Sequence, residues 1–170
     1  ELEKTLTRFT GLDAKELSDI TCASHKYTLD DFLKKGGIQK DYNLGTIATT
    51  PQVRMTRKII SDYVIDDKEM HKEFSDSVGM FSDWRQRGPV YELPYSCLYA
   101  KRIKNLITAG RCISVTEDMW DITRVIPVCA VSGQAAGTAA AMTNNFKTLS
   151  VEKLQQKLVA DGVVLHEKDL

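Results

Sequence analysis

Residues 103–114, Ile-Lys-Asn-Leu-Ile-Thr-Ala-Gly-Arg-Cys-Ile-Ser, and residues 124–142, Arg-Val-Ile-Pro-Val-Cys-Ala-Val-Ser-Gly-Gln-Ala-Ala-Gly-Thr-Ala-Ala-Ala-Met, decide the reading of this chain. Leu106, Ile107, Thr108 and Ala109 form a short apolar run behind a charged segment. Such a run predicts a strand covered on both faces. Gly110 ends it, where the absence of a side chain lets another group come close. Pro127 opens a helix, because its missing N–H would have no partner in a first turn. No charge occurs from Val125 through Phe146, and Gly133, Gly137 and Ala141 share one helix face. Each interior glycine costs about 1 kcal/mol against alanine. The spacing therefore predicts a close neighbour on that face, with Gly137 in tight backbone contact.

Three readings of this helix compete. It is a tightly packed structural helix, or a membrane span, or a helix whose N-terminus faces a cofactor. Ala, Gly, Ser, Thr and Gln drive insertion poorly, which sets the span aside. A helix N-terminus offers free N–H groups and a partial positive charge, suited to an anionic group. Val128 and Cys129, next to Pro127, are the expected free donors. Periodicity alone leaves the first and third readings open.

Composition limits the alternatives. At 170 residues the chain can bury one core or slightly more. Net charge is zero with Lys and Arg scattered, which argues against nucleic acid. No export signal is visible. Cys22, Cys97, Cys112 and Cys129 stand far apart, and His25, His71 and His166 are isolated, so no metal-ligand set is expected. Separated cysteines of this kind suit a reducing, cytoplasmic setting.

Along the chain, Asp13 caps a short helix to Ile20, and Thr28-Leu-Asp-Asp31 opens a second that stops at Gly36-Gly37. Residues 45–50 and 53–65 read as strands. Asp66 with Glu69 opens another boxed helix. Residues 75–89 read as loop, 90–99 and 105–109 as strands, and 111–125 as a long loop before the helix at 127–143. Ser150 caps a last helix with Val151, Leu154 and Leu158 on one face, ending at Gly162. Strand and helix do not alternate regularly, so the fold class is α+β.

Several segments in order carry a family resemblance: Thr-Pro-Gln-Val-Arg-Met-Thr-Arg-Lys-Ile at 50–59, Tyr-Glu-Leu-Pro-Tyr-Ser-Cys-Leu-Tyr at 91–99, Asn-Leu-Ile-Thr-Ala-Gly-Arg-Cys-Ile-Ser at 105–114, and Arg-Val-Ile-Pro-Val-Cys with Gly-Gln-Ala-Ala-Gly-Thr-Ala-Ala-Ala at 124–141. Together they resemble the C-terminal region of an FAD-dependent oxidoreductase with a two-part flavin-binding domain and an inserted substrate domain. The resemblance implies an antiparallel substrate-side sheet in residues 1–100. It implies one strand–helix unit of an incomplete FAD-binding domain in residues 101–170. It implies FAD as cofactor and a small-molecule substrate. Ala109, Gly110, Arg111, Arg124, Pro127, Val128 and Cys129 become the candidate cofactor-binding residues. A Gly-x-Gly-x-x-Gly turn, which seats the pyrophosphate of a dinucleotide, does not occur among the ten glycines. The missing N-terminal half would supply it, so this chain alone is not expected to hold FAD tightly or turn over.

Two arginines are substrate-anchor candidates. Arg57 shares a predicted strand face with Val53, Met55 and Ile59, opposite to Arg54, and a charge on an apolar face needs a partner. Arg124 lies just ahead of the helix mouth, where it joins Arg111 in an expected positive pocket. No histidine base or Ser-His-Asp set is visible, so no proton-transfer residue is assigned, and redox chemistry belongs to the flavin. The rival reading is a non-enzymatic interaction module whose small-faced helix docks a partner protein.

Overall fold

The computed structural model describes residues 9–170, which fall into two compact units, one ending at Thr56 and the other spanning Arg57–Leu170. The boundary expected at residue 100 lies inside the second unit, where Tyr99 bridges Ile107.

The first unit is built on α1 (Ala14–Lys34). Asp13 Oδ1 accepts from the N–H groups of Lys15 and Glu16, and the Glu16 carboxylate reaches back to Gly11 N. This satisfies amides that a helix start leaves without partners. At the other end Gly36 N–H donates to Leu33 O and Gly37 N–H to Phe32 O, with Gly36 at φ 96°. The two helices expected here are one. Residues 21–27 contain neither Gly nor Pro to break it. The Thr28 hydroxyl donates to Ser24 O, four residues back, instead of capping a new start.

The strands expected at 45–50 and 53–65 do not form. In residues 57–65 three amides go to irregular backbone. Ile59 N–H donates to Cys112 O (2.9 Å), Tyr63 N–H to Ser96 O (3.2 Å) and Ile65 N–H to Ser114 O (3.1 Å). A regular ladder needs a regular partner, and only the Ile65–Val115 bridge results. Nor does a helix follow Asp66. Glu69 Oε2 does accept from Asp66 N–H. However, His71 adopts φ 56°, its N–H donates to Val90 O, and Phe74 N–H donates to Glu92 Oε2, so the chain turns away after one turn.

The second unit contains β1 (Ser77–Ser82), inside a stretch expected to be loop, paired antiparallel with β2 (Val90–Pro94). A bulge separates Ser77 from Met80, and Gly79 sits in it at φ 147°. The strand expected at 105–109 is reduced to two backbone bonds, Ala100 N–H to Leu106 O and Thr108 N–H to Leu98 O, with one bridge. The loop expected at 111–125 contains α2 (Glu117–Thr123), capped by Thr116 Oγ1 accepting from Met119 N–H. Then come α3 (Ile126–Met142), with Pro127 in its first turn as expected, and α4 (Val151–Ala160), capped by Ser150. Four helices and one two-stranded antiparallel sheet among the described residues make the fold α+β.

The core of this unit gathers Ile65, Leu93, Leu98, Ile113, Leu154 and Leu158 between the hairpin and the last two helices. The segment after α4 closes it. Ser77 Oγ donates to Leu165 O, and His166 Nδ1 lies 3.0 Å from both oxygens of the buried Glu92 carboxylate. No single helix among the described residues is long and apolar enough to cross a membrane, and α2 and α3 meet at 92°.

Helix α3 buries Val128, Ser132, Ala135, Ala136 and Ala139. Gly133 and Gly137 lie on the other side, with nothing within 4 Å of an added Cβ. The tight contact expected at Gly137 is instead made by Gly79, where a Cβ would stand 2.6 Å from Val131 Cγ1 of α3. Valine in a helix is stiff about χ1 and cannot swing aside. Gly79→Ala is therefore expected to destabilise the protein by about 1–3 kcal/mol. Gly137→Ala is expected to stabilise it by up to about 1 kcal/mol. Urea melts of the two variants check both signs.

Candidate functional site

Two backbone features meet at one place. The first is the turn Gly110–Cys112, entered through an extended Ala109. Gly110 has φ 69°, a conformation that strains other residues. Its N–H donates to Ser132 Oγ of α3 (2.9 Å), and the Ser132 hydroxyl lies 2.8 Å from Val128 O as donor. A Cβ on Gly110 would stand 3.4 Å from Cys129 Sγ. The turn is thus tied to the first two turns of α3, and its positive φ, more than its contact with Cys129, favours a glycine.

The second feature is the mouth of α3. Val125 is its N-cap, and no side chain caps the exposed N–H groups. The free donors differ from those expected. Cys129 N–H is the first to close an intrahelical-type bond, to Val125 O (3.0 Å). Ile126 and Val128 precede that bond and Pro127 has no N–H; Val128 is buried, so Ile126 is the outward donor. Ile126 and Pro127 are exposed.

Arg111 and Arg124 are brought together here. Arg111 Nε–H donates to Arg124 O (3.3 Å), and Trp120 Nε1–H donates to Arg111 O (3.0 Å). Their charges are not equivalent. Arg124 Nε is paired with Asp121 Oδ1 at 2.8 Å, and its guanidinium carbon lies 5.6 Å from the Trp84 ring and 5.8 Å from the Trp120 ring. The positive pocket expected from both arginines is therefore carried by Arg111, which is exposed and has no acidic partner among the described residues. Arg57 is exposed and not on a strand, so the apolar-face argument for it does not hold. It makes no hydrogen bond to Arg111 or Arg124.

Sequence reading passed over Trp84, Asp83, Arg85, Asp121 and Ser132. The Asp121–Arg124 spacing of three is a helical ion-pair signal once α2 is recognised. The loop between β1 and β2 carries Asp83, Trp84 and Arg85, and Ser132 lies on α3. Arg85 makes a two-point pair with the buried Asp83 (2.9 and 2.9 Å) and reaches Asp121 at 3.6 Å.

A family model described as FAD dependent oxidoreductase matches residues 5–158. The chain belongs to this family. Comparison with curated proteins and with solved structures finds no match. Members of the FAD dependent oxidoreductase family use FAD, and the family implies a small-molecule substrate. The rival interaction-module reading finds no support. The donor set at the α3 mouth fits one part of a flavin nucleotide. It offers backbone N–H groups, an unpaired guanidinium and a glycine turn, all suited to carbonyl or phosphate oxygens. It does not supply the glycine-rich turn that grips a pyrophosphate.

The Asp83–Arg85 pair gives the site's loop a pH signature. The Arg85 hydrogen bond holds the Asp83 carboxyl below the usual carboxylate range, against the opposing effect of burial. A depressed folded-state pKa contributes stability above the unfolded value of about 3.9, and this is lost as pH falls through the folded value. Asp83→Asn is expected to lower the urea midpoint at neutral pH and to flatten its decline below about pH 4. A midpoint-against-pH series on both proteins checks this.

Proposed function

We propose that this chain is the C-terminal region of a flavin-dependent oxidoreductase, supplying the closing wall of the FAD site and part of the substrate domain. The observation that carries this reading is the convergence of the Gly110–Cys112 turn and the α3 mouth on Ser132 and Arg124. Residues 1–100 belong, in this reading, with the substrate side, and residues 101–170 with the flavin side. A further N-terminal half, with the glycine-rich turn, completes the cofactor site. Four free cysteines support a cytoplasmic setting.

When bound, FAD supplies the acceptor or donor of a hydride exchanged with a small-molecule substrate. The protein's part is binding, orientation and field. Ala109 and Gly110 present backbone with no bulky side chain toward the cofactor. The exposed Ile126 N–H and the positive end of the 17-residue α3 favour negative charge just outside the mouth. Arg111, which has no acidic partner among the described residues, adds a positive charge placed for phosphate or ribityl oxygens. Cys129 lines the wall beside Gly110. Pro127 presets the first turn without competing as a donor. Arg124, already paired, holds Arg111 through its carbonyl and keeps its outer N–H groups for a carboxylate. Arg57 is the alternative anchor for such a carboxylate.

This chain alone is expected to purify without stoichiometric flavin absorbance. In the FAD-loaded protein, Arg111→Ala is expected to weaken FAD binding by about tenfold or more, as loss of a charge-assisted hydrogen bond does. Fluorimetric FAD titration checks it. Unchanged affinity in both Arg111→Ala and Arg124→Ala would remove the flavin assignment of this wall.

A further inference from the structure

We propose that Trp84 is a positioning residue for the α3 mouth, acting through Arg124; the inference deepens the flavin-site reading above and rests on it. Trp84 projects from the loop between β1 and β2 and is 53% exposed, so core packing does not account for where it lies. Its indole N–H donates to Asp121 O (2.9 Å), and its ring faces the Arg124 guanidinium at 5.6 Å. Trp120 covers the same guanidinium at 5.8 Å. A guanidinium within about 6 Å of an indole centroid is attracted to the ring. Arg124 is thus held between two indoles while Asp121 fixes its Nε.

The consequence is a closed circuit of contacts. Trp84 holds Asp121 and Arg124, and Arg124 O accepts from Arg111 Nε. Arg111 O in turn accepts from the indole of Trp120, the second ring on Arg124. Every member except Trp84 lies between Arg111 and Arg124 in sequence. Trp84 is the one member supplied by the hairpin loop, which Arg85 also anchors through Asp121 (3.6 Å). Through it the hairpin loop sets the orientation of Arg111 without touching Arg111. A displacement of the hairpin, for example by an occupied substrate side, is conveyed to the mouth of α3.

Two measurements test this. In the ligand-free chain, hydrogen exchange of the Trp120 indole N–H, followed by NMR, reads the circuit directly. Trp84→Ala is expected to speed it by about three- to tenfold, as loss of a coupled contact does. Trp84→Phe keeps a ring over Arg124 and is expected to have about a third of that effect or less; it serves as the test if Trp84→Ala does not fold. Unchanged exchange in a folded Trp84→Ala overturns the proposal whatever the protein binds. In the FAD-loaded protein, Trp84→Ala is expected to weaken FAD binding, and the Trp84→Ala, Arg124→Ala double variant to bind as Arg124→Ala alone does. Losses that multiply would show that Trp84 acts independently of Arg124 and overturn the proposal. Faster exchange in Trp84→Ala, with FAD affinity indifferent to Arg111→Ala and Arg124→Ala, removes the flavin assignment and leaves the positioning intact.

Discussion

The close seat of α3 on β1 governs the second unit. A bulge in β1 places Gly79 under Val131, and the missing side chain lets the helix approach the strand. From that seat follows the height of the whole helix. Ser132 then lies about two turns from the mouth, where its hydroxyl meets the N–H of Gly110 at 2.9 Å. Raising the helix by the width of a methyl group would break that bond before it exposed the core. The positions of Arg111 and Arg124 are thus set by packing on the sheet as much as by their own loop.

The electrostatics of the corner are more balanced than its arginines suggest. Arg124 and Arg85 both draw on Asp121, and Arg85 is doubly paired with Asp83. Two guanidiniums and two carboxylates cancel in charge and leave a rigid platform. What remains for a ligand is the unpaired Arg111, together with the uncapped end of α3. Placing one charge on a neutral, ordered support lets a field act at short range without inviting every passing anion.

Much of this was legible because local chemistry decided it. The caps at Asp13 and Ser150, the stop at Gly36-Gly37 and the start at Pro127 all rest on groups within five residues of one another. The proximity of Gly110, Arg111 and Arg124 also followed from the resemblance. What failed depended on distant partners. Residues 57–65 include the β-branched Ile59, Ile60, Val64 and Ile65, yet the amides of Ile59, Tyr63 and Ile65 bond to Cys112, Ser96 and Ser114. β1 was hidden because Gly79 reads as a loop signal, and its role as a contact for Val131 appears only when the helix is in place. α2 was missed despite a capping threonine and two acids in its first turn. The glycine stripe of α3 was read as a packing face, but the buried face is set by Val128, Ser132 and Ala135 instead. Periodicity shows that a face exists, and not which face the rest of the chain covers.

The buried Glu92 carries a different consequence, one of timing. Its carboxylate is shared between Phe74 N–H and His166, and the bulge residue Ser77 is held by Leu165 O. Both latter partners lie more than 70 residues further along the chain. During synthesis the hairpin emerges early, before His166 and Leu165, the remaining partners of its carboxylate and its hydroxyl, have been made. It can stay only loosely formed until Leu165 and His166 leave the ribosome. The core of this unit is therefore finished late and all at once, and a nascent chain paused before residue 165 exposes its apolar hairpin to chaperones or to other chains.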